Sequence, residues 1–153
     1  MLWEKEVEKK LTEWLRADLA AEDAVSVVGG WDVIADPDAA VEQPGEAVRV
    51  LVTVGAPAFD TYEAPTVEFP VSIAVAARRE LDLGGALFER ALGAVEGMRL
   101  SFQLSIDALQ NVSMMMFSAC GARAESGDAP TYNAALAAWT VARSLTIKGV
   151  ISQ

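Results

Sequence analysis

Histidine is absent from all 153 residues, and cysteine occurs once, at Cys120. Ser-His-Asp and Cys-His nucleophilic machinery, imidazole metal ligation and ordinary histidine acid–base chemistry are therefore excluded within this chain. Thiolate zinc sites need more cysteines than it has. Carboxylates remain, 22 of them, but no spacing singles out a pair suited to acid–base work on a glycosidic bond. Asp32, Asp36 and Asp38 fall near one another, yet they lack the alternating acids, central glycine and terminal glutamate of a calcium loop and read as a solvated stretch. Gly84-Gly85, opening a helix after a strand, is the nearest approach to a phosphate cradle. Without the further glycines or lysine of a phosphate loop, the pair reads as a packing device. The run Met114-Met-Met116 beside Phe117 reads as filling for a core or an interface. The expectation is a protein with no catalytic residue, no metal and no cofactor.

Composition narrows the partners. Hydrophobic residues make up 52% of the chain and charged residues 22%, which excludes disorder and gives one domain of this length a substantial core. A formal net charge of −10 opposes a broad phosphate-neutralising surface, so specific nucleic-acid binding is not expected. No apolar run approaches the roughly 20 residues of a bilayer crossing, and the first residues read as charged helix rather than a signal peptide, so no membrane role is expected. A lone Cys120 within an apolar run reads as a small buried hydrophobe.

The elements follow from periodicity. Trp3, Val7, Leu11, Trp14 and Leu15 form one stripe at 3.6 residues per turn, opposite Glu6, Lys9, Glu13 and Arg16, which predicts an amphipathic helix over residues 2–20. Residues 25–28 predict a short strand stopped by Gly29-Gly30, and residues 35–46 a solvated loop. Alternation predicts strands at 48–54 and 67–75, separated by a loop at 55–66 that is long for a compact domain. Phe59 and Tyr62 in that loop have no evident core partner. Pro70 lacks a ladder donor, which predicts an edge or a bulge for the second of these strands. Asp82 reads as the N-cap of a helix to about residue 98, with Leu83, Leu87, Ala91, Ala94 and Met98 inward. Residues 100–110 read as a connector with a short helix from Ser105. Two long runs, 111–125 and 139–148, predict a C-terminal antiparallel pair joined by the turn-rich Glu125-Ser-Gly-Asp-Ala-Pro130, reaching beyond a compact core. The helix formers Ala134, Ala135, Leu136, Ala137 and Ala138 leave strand or helix open at that point. The fold class is α+β: a single domain spanning 1–153, an antiparallel or mixed sheet, and two main helices on one face.

This order of elements, with Val67-Glu-Phe-Pro-Val-Ser-Ile-Ala-Val-Ala-Ala-Arg78 leading into Leu81-Asp-Leu-Gly-Gly-Ala-Leu-Phe-Glu-Arg90, resembles the tail terminator proteins of tailed phages, the minor tail protein U type, and related neck proteins. The likeness covers most of the chain and is one of pattern, with no motif on which to carry over functional residues. It implies a virion subunit of a phage or prophage, assembled in the bacterial host cytoplasm as a homo-oligomeric ring, commonly a hexamer. Its implied partners are a tail tube protein and a head-completion protein. An acidic balance suits a lumen that lets DNA pass without sticking. Candidate self-association residues are Phe59, Tyr62, Glu68, Pro70 and Ser72, on the loop and the expected edge strand, with Glu125 and Asp128 at the tip of the long pair. Two other readings stand beside this one: a small ligand-binding domain with the 55–66 loop as a lid, and an enzyme working through unpaired carboxylates.

Overall fold

The computed structural model describes residues 2–40, 45–60, 66–101, 103–104 and 116–152. Helix α1, Trp3–Asp18, buries Trp3, Val7, Leu11 and Leu15 along the expected stripe. Its buried face is wider than the apolar pattern, because Glu8 and Thr12 are buried with it. The Thr12 hydroxyl donates to the Lys9 carbonyl at 2.9 Å, so this polar group enters the interior satisfied. Strand β1, Val25–Gly29, follows, then a six-residue helix α2, Gly30–Ala35, and a 3-10 turn, Pro37–Ala40.

The sheet is built on β2, Val48–Val54, and β4, Thr66–Arg78. A short strand β3, Ala58–Asp60, pairs the start of β4. Helix α3, Ala86–Ser101, and the two-residue β5, Gln103–Leu104, precede β6, Met116–Gly127, then β7, Thr131–Asn133, and β8, Ala138–Ser152. The strand order is β1-β2-β4-β8-β6-β5. β1 runs parallel to β2, while β2 with β4, β4 with β8 and β6 with β8 are antiparallel, so the sheet is mixed and the domain α+β. Val48, Val50, Val52, Val67, Phe69, Ile73, Val75, Leu145 and Ile147 are all buried and lie on one face. Period-two alternation puts them there, and each fully buried aliphatic or aromatic contributes about 1.5–3 kcal/mol. α1 crosses β1 and β2 on that face, and α3 packs on β4 and β6 beside it. Ala91, Ala94, Val95 and Met98 supply the inner surface of α3.

Three expectations change and one open point is decided. β4 is an interior strand: β8 pairs it from Thr66 to Arg78, and β2 or β3 pairs its other side. Proline is tolerated there because the position without a donor faces a break. The Pro70 carbonyl accepts from Gly55 at 2.8 Å, and Gly55 lies between the end of β2 at Val54 and the start of β3 at Ala58. A side chain on Gly55 would meet the Pro70 ring at 2.9 Å, so glycine lets the two backbones close up. The long C-terminal pair is real but does not project, since β4 flanks β8 from Ala138 to Val150. Ala134–Ala137 is a turn between β7 and β8. The Asn133 side chain captures the Ala135 and Leu136 amides at 3.1 and 3.3 Å, and a turn this short gives helix propensity nothing to propagate. Finally, Leu83 is 82% exposed rather than inward. Gly84 and Gly85 lie before α3 at φ +83° and +74°, a left-handed excursion that keeps Leu83 off the helix.

Asp82 caps α3 from a distance. Its Oδ1 and Oδ2 accept the Leu87 and Phe88 amides, both at 2.9 Å, satisfying two of the four orphan donors of a helix N-terminus. Tyr62, residues 111–115 and the expected helix from Ser105 lie outside the described residues.

Candidate functional site

Ionisable groups are the first place to look for chemistry, and three clusters bring them inward. Gly29 sits at the N-cap of α2, where it has no side chain to offer. Asp32 reaches back to the Gly29 amide at 2.8 Å, one half of a capping box. The other half comes from α1: the Glu8 Oε1 accepts the Trp31 amide at 2.8 Å. Burial raises the Glu8 pKa, backbone hydrogen bonds from Trp31 and Val54 work against that shift, and the nearby Asp32 charge adds to it. Arg16 completes the cluster, donating to Asp32 and to the Val27 carbonyl, both at 2.9 Å.

In the second cluster Glu96 on α3 accepts from Arg99 at 2.8 Å and from Arg143 on β8 at 2.7 Å. Arg99 also donates to the Ser144 carbonyl at 3.1 Å, and Arg143 to the Asp128 carbonyl. In the third, Glu46 is buried, not part of a solvated loop. It holds the Arg49 guanidinium at 2.9 and 3.0 Å and accepts from the Ser26 hydroxyl. Each cluster joins two elements and spends its polar groups on that task. Among the described residues no buried side-chain polar atom lacks a partner, and no three Asp, Glu, Cys or His side chains converge as a cation site.

Surface is what the fold leaves available. The two long helices, α1 and α3, both lie on the first face and leave much of the second exposed. That face carries Ser72, Ala74 and Ala142 exposed, with Thr53, Ser144 and Thr146 beside them. A hollow of about 450 Å³ lies there, between Gly55, Pro70, Ser72 and Thr146. Three expected contact residues come together on this face: Glu68, in an ion pair with Lys148 at 3.8 Å, Pro70 and Ser72. Their shared placement follows from strand alternation and not from an edge. Phe59 is elsewhere, half exposed with its ring 5.7 Å from that of Trp3 at the start of α1. Glu125 falls on β6 and Asp128 just after it, on the other side of β8 from β4, with the Asp128 amide donating to the Ala142 carbonyl at 3.3 Å.

The larger apolar surface was not anticipated. Of the nine large hydrophobic side chains exposed among the described residues, five crowd one end of the sheet: Leu81, Leu83, Tyr132, Leu136 and Trp139. The Tyr132 and Trp139 rings lie 5.2 Å apart. A hollow of about 590 Å³ opens between Leu83, Phe88 and Trp139, with Arg78, Arg79 and Glu89 on its wall. The signal was present in the sequence as leucines inside turn-forming stretches, Leu83 before Gly84-Gly85 and Leu136 after Asn133. A single exposed leucine is ordinary, and such residues are informative only where several gather.

No protein-family model and no curated protein matches the chain. Among solved structures it is similar to a chain described as "Virion of native gene transfer agent (GTA) particle", with 15% identity, 92% of this chain and 94% of that one covered, and a TM-score of 0.45. It is similar also to a chain described as "Np_888769.1", with 20% identity, 95% and 91% covered, and a TM-score of 0.42. Both scores are too low to establish a shared fold, and neither likeness assigns a role.

Proposed function

We propose that this chain is a structural subunit of a tailed-phage or prophage virion, of the tail terminator type, working as a ring that caps the tail tube and joins tail to head. A tail tube protein and a head-completion protein are its partners in that reading, and the assembled virion is its location. The order of elements in the sequence motivates the proposal. The observation that carries it is the apolar end of the sheet, which holds five of the nine large hydrophobic side chains exposed among the described residues, with Leu83 and Trp139 at one hollow and Leu136 at another. Scattered exposed hydrophobics are ordinary, but a contiguous patch marks an interaction surface. The inward polar clusters fit the same reading, because each fastens one element to another. Multi-angle light scattering across a concentration series, with and without tail tubes, tests it, together with class-averaged electron micrographs. The expected result is a discrete closed ring, seen alone or at tube ends. A monomer at every concentration that leaves tube ends bare overturns it.

A further inference from the structure

Among the described residues β1 is the terminal strand at one side of the sheet. Val25-Ser-Val-Val-Gly29 holds no charge and no proline, and its register against β2 runs unbroken, without a bulge. Charge, proline and bulges are the devices by which an edge strand discourages a second chain from pairing with it. A β-branched, uncharged run without them is an open template, so protection has to come from outside the strand.

The hydrogen bonds show its source. The Ala24 carbonyl accepts the Val48 amide at 3.1 Å, so by alternation the backbone groups of Ser26 and Val28 turn toward β2 and those of Val25, Val27 and Gly29 turn away from it. Other elements engage that outward side. The Val25 amide donates to the Glu22 carbonyl at 3.1 Å. The Val27 carbonyl accepts from Arg16 on α1 twice, from Nε at 3.1 Å and from Nη2 at 2.9 Å. The Gly29 amide donates to the Asp32 carboxylate at 2.8 Å, and that carboxylate holds Arg16 at 2.9 Å. One ion pair between α1 and α2 therefore covers the edge. Seating α1 does not require it, because Val7, Leu11 and Leu15 already bury that helix.

We infer that Arg16 and Asp32 guard this edge, occupying the Val27 carbonyl and the Gly29 amide so that β1 of a second copy cannot add to the sheet. A two-fold, antiparallel pairing of β1 with β1 centred on Val27 needs those same groups: the two Val27 residues would exchange amide and carbonyl, and Val25 of each copy would pair with Gly29 of the other. Guard and second strand compete for one acceptor and one donor, so the presence of either excludes the other. Such a contact is isologous and stops at a pair. The inference is independent of ring assembly and stands or falls without it.

Arg16→Ala and Asp32→Ala each vacate one position, and the double variant vacates both. The core residues of α1 are untouched and α2 buries no side chain, so far-UV circular dichroism should match the wild type. Sedimentation velocity should show, in the double variant, a species of twice the wild-type mass at concentrations where the wild type shows none. Hydrogen exchange locates the joint: the Val27 amide should exchange more slowly in the associated fraction than in the wild type, by about tenfold or more. Val27→Pro added to the double variant removes the donor at an outward position, where an edge strand tolerates proline, and should return the wild-type mass. A folded double variant that sediments like the wild type overturns the inference, and so does association that leaves the Val27 amide unprotected. Should the double variant lose its circular dichroism, Asp32→Ala alone decides by the same two measurements.

Discussion

Replacing Gly29 by alanine tests whether the Glu8 carboxylate is as firmly held as its hydrogen bonds imply. The backbone at Gly29 is extended, φ −93° and ψ 154°, so alanine meets no dihedral penalty there. Stiffening the unfolded chain should by itself stabilise by about 0.4–1 kcal/mol. The new Cβ, however, would stand 2.3 Å from the Glu8 Oε1 and 3.1 Å from its Cδ. The carboxylate must move, and in moving it gives up the 2.8 Å bond from the Trp31 amide. A hydrogen bond to a charged group is worth about 1.5–3 kcal/mol, so Gly29→Ala should destabilise the wild type by about 1–2 kcal/mol after the entropic gain. In a Glu8→Ala background the obstruction is gone, and the same substitution should be neutral or stabilising by up to about 1 kcal/mol. Urea denaturation of the four proteins in the cycle gives the coupling directly, expected at about 1–3 kcal/mol for two groups in contact. Thermal melts should show it as about 2–4 °C per kcal/mol in a chain of this size. An equal effect of Gly29→Ala in both backgrounds refutes the argument that Glu8 serves as the missing cap of α2.

Because burial raises the Glu8 pKa, the folded state holds a proton that the unfolded state has already lost over the window from about pH 4.5 upward to the raised value. Stability attributable to Glu8 therefore falls as pH rises through that window. Glu8→Gln should flatten this part of a stability–pH curve measured by urea denaturation; an unchanged slope speaks against a raised pKa. Asp82→Ala removes both acceptors for the Leu87 and Phe88 amides and should cost about 0.5–2 kcal/mol, with amide exchange in the first turn of α3 accelerating ahead of the rest of the helix. Glu96→Ala leaves the buried Arg99 and the half-buried Arg143 without their shared carboxylate. It should destabilise by about 1–3 kcal/mol, and less at high salt for the more exposed part of the pair, both read from denaturation midpoints.

The sequence made the strands legible where one face alone meets the core. Val48 to Val54 and Val67 to Val75 alternate so regularly that only one placement buries them, and both strands lie where the pattern puts them. Topology was not legible in the same way, because alternation says which face is buried and nothing about which strand is the neighbour. Pro70 pointed to an edge on a sound rule, but the rule concerns a missing donor, and an interior strand satisfies it when the neighbour breaks at Gly55. Ala134 to Ala138 stayed open for a different reason: propensity counts residues, whereas Asn133 takes the Ala135 and Leu136 amides and holds 134–137 as a turn, with Ala138 opening β8. Glu8 was hidden by its type, since a glutamate beside an apolar stripe reads as surface until α2 is seen to need a cap. The apolar end was hidden because Leu83 fits a helical period that the turn at Gly84 interrupts, whereas Trp139 keeps its strand period but falls at the very start of β8.

Assembly is the claim on which the functional reading depends, and mass in solution addresses it most directly. Sedimentation velocity on the wild-type protein over a wide concentration range, repeated with purified tail tubes, should show the 16.3 kDa chain passing into one larger species of fixed stoichiometry that also appears at tube ends in micrographs. A single boundary at the monomer mass throughout, with no protein retained on the tubes, would contradict the account.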